Sequence, residues 1–185
     1  MTKIATALLM CIMFSFTYAG AKQGEASQQN PPNEAWKVFD TTDYSIRYPA
    51  TWDMDNSRQM GTTFIIFSPV ESETDQFKEN VNLLEQNLAG KNIDLDQYTK
   101  ITEEQVKTLL TNSALLESKR VKKGNKECQH FVYTADQGVL HMRFEQYCWI
   151  INDTAYILTF TCEQSKAKDY KAIAEKILNS FSFKK

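Results

Sequence analysis

His130, His141, Glu145 and Cys128 are the residues of this chain whose types and spacing could do chemistry. Imidazole, carboxylate and thiolate are the donors that a zinc-type site uses, and three or four of them must converge. The two histidines fall on consecutive strands of one expected hairpin. A turn at Asp136-Gln137 places His130 near Arg143 and His141 near Val132. The histidines then share a face, offset by about two residues and within diagonal reach. Glu145 and Cys128 lie on that face as well. Arg143 sits between the histidines and Glu145, and its fixed positive charge opposes a bound cation. The expectation is no metal and no cofactor, with strand histidines paired to carboxylate or solvent. A metal-dependent or hydrolytic enzyme is the alternative, and it requires these four residues to converge around an open cavity.

Other chemistry has less to stand on. Cys128 and His130 form an i, i+2 strand pair with no identifiable orienting group or oxyanion site. The chain has no Gly-x-Ser-x-Gly elbow, phosphate loop or His-Glu-x-x-His helix. Its acidic residues are dispersed, and Asp53-Met54-Asp55 alone does not define a general acid and base. No catalytic residue is assigned. Most of the 11 Phe and 8 Tyr fall on faces expected to be buried. Trp36, Trp52 and Trp149 are the candidates for exposed binding aromatics.

The elements that must position these residues are short. Trp36–Phe39 and Tyr44–Tyr48 read as strands; in the second, Tyr44, Ile46 and Tyr48 alternate with Ser45 and Arg47. Thr62–Phe67 is a continuous apolar run, suited to a strand covered on both faces. Asn80–Leu88 is read as a strand, although Leu84 and Leu88 offer a helical pair. From Asp94 the period lengthens: Tyr98, Ile101, Gln105 or Val106, and Leu109 define an amphipathic helix ending near Asn112, capped by Asp94 or Asp96. Strands Leu115–Val121, Glu127–Thr134, Val139–Ile151 and Thr154–Cys162 follow, the last two joined at Asn152-Asp153. A second helix spans about Ser165 to Asn179, and Ser180–Phe183 docks as an extended piece.

Val139–Ile151 is apolar on both sides, with Leu140, Met142, Phe144, Cys148 and Ile150 on one and Val139, Tyr147, Trp149 and Ile151 on the other. The centre of the sheet is therefore covered on both faces. The class is α+β: one twisted antiparallel sheet packed by helices. The Asn152-Asp153 turn places Cys162 opposite Arg143 and Cys148 opposite Ile157, while Cys128 falls near Glu145. Cys128 and Cys162 are then a whole strand apart and Cys148 points the other way. A disulfide needs a bulge or a shifted register; three buried thiols are the other outcome.

The N-terminus sets the compartment. Met1–Lys3 is basic, Ile4–Phe16 is apolar, and Ala19-Gly20-Ala21 is a small-residue ending, the layout of a secretory signal peptide over residues 1–21. Cys11 lies inside the apolar run and leaves with the peptide. Residues 22–35 are a flexible polar leader, and 36–183 form a single domain. No later stretch is long and apolar enough to span a bilayer, so the mature chain is expected to have no transmembrane segment and to be periplasmic or extracellular. A formal charge of −2 argues against nucleic acid as a partner. The basic run Lys119-Arg120-Val121-Lys122-Lys123 reads as a solvated strand end and turn.

The segment Tyr44-Ser45-Ile46-Arg47-Tyr48-Pro49-Ala50-Thr51-Trp52 resembles the Y-x-[IF]-x-Y-P-x-x-W opening of the PsbP-like family. The ending Tyr170, Ile173, Ile177 and Ser180-Phe181-Ser182-Phe183 resembles that family's closing helix and strand. The elements between follow in the same order, so the resemblance covers residues 36–183. It implies an α/β/α sandwich around a central antiparallel sheet, as in photosystem II extrinsic proteins and a Ran-binding import factor. Plant members support the calcium and chloride requirement of oxygen evolution; the family's bacterial members, which this chain resembles, bring no activity with them. The reported metal histidines and the long basic N-terminal segment have no counterpart here. The expected function is an exported, non-catalytic accessory or protein-binding domain with a protein partner. A small-ligand carrier of the cell envelope, holding its cargo between sheet and helix, is a further alternative.

Overall fold

A computed structural model of the protein describes residues 35–58 and 61–184. The expected signal peptide, and the leader up to residue 34, lie outside the described residues. In chain order the elements are β1 (Trp36–Asp40), β2 (Tyr44–Pro49), β3 (Asp53–Asp55), β4 (Thr62–Phe67), β5 (Asn80–Asn87), α1 (Leu95–Leu109), β6 (Ala114–Lys123), β7 (Lys126–Gln137), β8 (Leu140–Ile151) and β9 (Thr154–Glu163). A 3-10 turn at Gln164–Lys166 leads into α2 (Ala167–Ser180), and β10 (Ser182–Phe183) follows.

Seven strands form one antiparallel sheet in the order β3-β4-β5-β9-β8-β7-β6. Because β5 pairs with β9, α1 must carry the chain from the middle of the sheet to its far edge. Helix α1 begins at a capping box: Asp94 Oδ1 accepts from the Gln97 amide at 2.8 Å, and Gln97 Oε1 accepts from the Asp94 amide at 3.1 Å. These bonds satisfy two amides that have no partner within the helix.

Alternation along the strands sends apolar side chains to both faces. One face gathers Phe131, Tyr133, Phe144 and Ile157 under Tyr98 and Val106 of α1. The opposite face gathers Phe64, Leu83, Trp149 and Leu158 under Ala174, Ile177 and Leu178 of α2. The second sheet, β1-β2-β10, closes this α2 face, with Tyr44, Ile46 and Tyr48 turned inward. The fold is thus an α+β sandwich in which the antiparallel sheet is covered on both sides, as the two-sided apolarity of β8 implies. The buried positions of α1 are Tyr98, Thr102, Gln105 and Val106. This stripe is rotated from the expected one and leaves Leu109 51% exposed.

The β8–β9 hairpin has the expected register, with Arg143 opposite Cys162 and Cys148 opposite Ile157. Its turn residues Asn152 and Asp153 have φ of 49° and 56°, the left-handed conformation that a two-residue hairpin of this class needs at both positions. The β7–β8 hairpin corrects the expectation. It turns at Gly138-Val139, with Gly138 at φ 61°, and pairs Gln137 with Leu140. His130 therefore faces Tyr147, not Arg143, and His141 faces Asp136, not Val132. Cys128 faces Val121 on β6 and is not beside Glu145. Cys128, Cys148 and Cys162 are buried free thiols, the first and last on the α2 face and Cys148 on the α1 face.

Candidate functional site

The slipped register separates the two histidines. His141 sits six strand positions from His130 in the pairing, about 20 Å at the rise of a strand. At the hairpin end its Nδ1 lies 2.6 Å from Asp136 Oδ1, and that hydrogen bond is the main reason the Asp136 carboxyl is held below its ordinary range. His130 keeps Glu145 as a neighbour, but Cys128 is buried among apolar side chains. Burial pushes the Cys128 thiol up to about 11, far from the thiolate that nucleophilic or metal chemistry requires. Among the described residues no three His, Cys, Asp or Glu side chains are grouped to hold a metal ion.

His130 forms a different constellation. Its Nδ1 lies 2.5 Å from Glu117 Oε1 on β6, and its Nε2 lies 3.0 Å from Glu145 Oε1 on β8. Only an imidazolium, with two N–H donors, satisfies two carboxylates in this way. The ring also packs on Tyr147, with centroids 4.4 Å apart. A hydrogen bond from Lys119, opposed by partial burial and joined by His130, holds Glu117 below the usual carboxylate range. Burial pushes Glu145 up, but the His130 hydrogen bond and charge, followed by the Arg143 charge, bring it below that range. Tyr147 donates to Glu145 at 3.4 Å, and Lys123 Nζ lies 4.0 Å from the Tyr147 ring centroid while donating to Asn179 at 2.7 Å. With both ring N–H groups donated to carboxylates, His130 has no nitrogen lone pair with which to accept a substrate proton. The arrangement clamps three strands together.

A second charged group surrounds Lys166. Its Nζ lies 3.0 Å from Glu71, 3.1 Å from Asp75, 3.7 Å from Glu79 and 3.8 Å from Glu163. Glu79 is fully buried, and burial raises its pKa against the pull of Lys166. Lys166 itself is held above the ordinary lysine value: burial works against its charge, and the hydrogen bonds it donates to Glu71 and Asp75, with the Glu79 charge, overcome it. The lysine thus fastens the β4–β5 connection to the start of α2.

Of the three tryptophans, Trp52 and Trp149 are 4% and 1% exposed and belong to the α2-face core. Only Trp36 is partly open; the Arg47 guanidinium carbon lies 5.9 Å from its ring centroid. These two residues line a shallow groove of about 660 Å3 along α2. A cleft of about 410 Å3 opens between α2 and the sheet, with Arg143, Glu145 and Phe160 on its floor and Lys168, Lys171 and Glu175 along its wall.

Residues 6–183 match the family described as PsbP-like protein. The chain belongs to the PsbP-like protein family. Among solved structures, this PsbP-like chain is similar to cyanobacterial PsbP of Synechocystis sp. PCC 6803, at 10% identity and a TM-score of 0.56, covering 86% of this chain and 98% of that one. LpqN of Mycobacterium tuberculosis, described as involved in cell envelope biogenesis, aligns at 12% identity and a TM-score of 0.61, covering 84% of this chain and 87% of its own. The Ran-binding protein Mog1p of Saccharomyces cerevisiae aligns at 11% identity and a TM-score of 0.54, covering 81% and 96%. Likeness at these identities is likeness of fold. No curated protein matches the chain.

Glu117 and Tyr147 beside His130, and Lys166 with Glu71, Asp75, Glu79 and Glu163 around it, are not among the candidate site residues read from the sequence. Tyr147 was within reach, since it faces His130 once the turn is placed at Gly138. Glu117 was not, because the pairing of β6 with β7 shifts between Leu115 and Glu117. That bulge moves Glu117 onto the α2 face, and side-chain alternation carries no sign of it.

Proposed function

We propose that residues 36–183 form one exported, non-catalytic accessory domain, delivered by the signal peptide at 1–21, that binds a partner protein along the free edge of β6. The observation that carries this reading is that edge. β6 runs ten residues, Ala114–Lys123, with β7 as its one sheet neighbour among the described residues. An edge strand presents unpaired backbone groups to which another extended segment can add. Leu116, at the bulge, is 53% exposed, and Leu109 at the end of α1 is 51% exposed. Lys119, Arg120 and Lys122 give the edge a net positive charge in a chain whose formal charge is −2, although Lys119 is paired with Glu117 and Arg120 with Asp96. Bulges and lysines discourage pairing between identical edges, which favours an acidic, extended segment of a different protein. The closed geometry of His130 and the buried, raised thiols support a binding role over a catalytic one.

The test is photo-cross-linking in cells with a reactive residue at Leu116, and with one at Val38, exposed on the small sheet, as control. A discrete adduct from position 116, absent at Val38 and lost on combining Lys119→Glu with Lys122→Glu, is expected. An adduct unchanged by those reversals, or none at position 116, overturns the reading. So does recovery of the chain from cells with residues 1–21 intact and in the cytoplasm.

A further inference from the structure

The cleft between α2 and the sheet has more cations than the fold pairs. Arg143, Lys168 and Lys171 line it, together with the carboxylates of Glu145 and Glu175. Glu175 pairs with Lys171 at 3.9 Å. Glu145 commits Oε1 to His130 and Tyr147, so it lends Arg143 charge at a distance but no ion pair. Across the strands Arg143 faces Thr134 and Cys162, neither of which bears charge. Arg143 is half-buried, and no hydrogen bond or ion pair holds its guanidinium among the described residues. Its N–H donors therefore face the cleft with no acceptor supplied by the fold. Lys168, exposed on α2, is likewise unpaired among the described residues.

We propose that this cleft binds a small dicarboxylate, one carboxylate seated on Arg143 and the other on Lys168, with its carbon chain over Phe160. The planar fork of Arg143 matches a carboxylate with two parallel hydrogen bonds. Phe160 gives the floor an apolar surface between the charged groups. A space of about 410 Å3 lies within the range of small-molecule sites. Glu145 in the floor and Glu175 in the wall disfavour a densely charged anion such as phosphate, whereas a dicarboxylate carries its two charges apart. This site lies on α2 and the α2 face of the sheet, independent of the β6 edge.

Succinate is the probe, titrated into the purified protein by calorimetry and amide chemical shifts, with succinamide and inorganic phosphate as comparisons. Saturable succinate binding with shifts at Arg143, Gln164 and Lys168 is expected, with succinamide silent. Arg143→Gln should weaken binding by at least about tenfold, as loss of a charge-assisted pair does, and Arg143→Lys should weaken it less. Lys168→Gln, on the exposed helix surface, should weaken it several-fold and keeps the test decisive if Arg143→Gln does not fold. The proposal fails if succinate does not saturate below about 10 mM. It also fails if phosphate or succinamide binds as well as succinate, or if Arg143→Gln and Lys168→Gln both leave the affinity unchanged.

Discussion

His130 Nδ1 lies 2.5 Å from Glu117 Oε1, which joins the edge strand β6 to β7 by side chains as well as by backbone. Glu145 on β8 takes the other ring nitrogen, so one imidazole spans three strands. His130→Leu is expected to lower stability by roughly 1–3 kcal/mol, because it strands a partly buried carboxylate as well as deleting two bonds. The urea midpoint reports it, and hydrogen exchange in β6 should accelerate more than in β9.

Acid should erase that difference. Glu145 and Glu117 have folded pKa values below their ordinary ones, so their contribution is fully present above the unfolded value, near 4.3. It is lost as pH falls through the lowered folded values. Wild-type and His130→Leu stabilities are therefore expected to converge below about pH 4, read as urea midpoints from pH 7 to 3. A gap that stays constant to pH 3 contradicts the clamp.

Lys166→Met leaves Glu79 and Asp75 buried without their cation. A loss of roughly 3 kcal/mol at pH 7 is expected. Glu79 already has a raised pKa, so its protonated form is the one the fold favours; that contribution is present below the unfolded value and lost as pH rises through the folded one. The variant should therefore recover stability toward pH 5, and adding Glu79→Gln should recover part of it at pH 7. Thermal melts of the two variants check both statements.

Cys128, Cys148 and Cys162 should resist alkylation in the folded protein. Burial pushes Cys128 up to about 11 and Cys162 to about 12, and raises Cys148 further. Iodoacetamide at pH 8, followed by peptide mapping, should label each of them only after denaturant is added. Labelling of Cys148 under native conditions would show that the core opens on its α1 face.

Asp94→Ala removes the side-chain acceptor for the Gln97 amide, while the backbone amide of residue 94 remains able to donate to Gln97 Oε1. A loss of about 1 kcal/mol is expected in chemical denaturation. Asp94→Asn should retain most of the stability, since it keeps an acceptor at the cap.

Legibility followed local chemistry. Asn152 and Asp153 tolerate the left-handed backbone that a two-residue hairpin needs at both positions, so the β8–β9 register and the opposed faces of Cys148 and Cys162 were readable from the chain. Asp136-Gln137 looked equally turn-prone, yet the neighbouring glycine supplied the positive φ at lower strain and moved the hairpin by two residues. That slip alone took His141 away from His130 and brought in Tyr147. Trp149 reads as an amphipathic aromatic, and nothing in its own strand reveals that Phe181 and Phe183 pack against it at 5.5 and 5.3 Å. Lys166 gathers carboxylates up to 95 positions away, a relationship set by topology.

The pairing of β10 with β2 has a consequence for the order of events. Ser182 and Phe183 align with Ser45 and Tyr44, and Phe183 packs against Trp149, Tyr156 and Phe181. A chain emerging N-terminus first makes the β1–β2 hairpin long before its third strand exists. That hairpin must wait, one edge bare, until residue 183 is released. Maturation of the α2 face is thus gated by the arrival of Ser182 and Phe183 beside β2, and removing these two residues would breach a wall of the core.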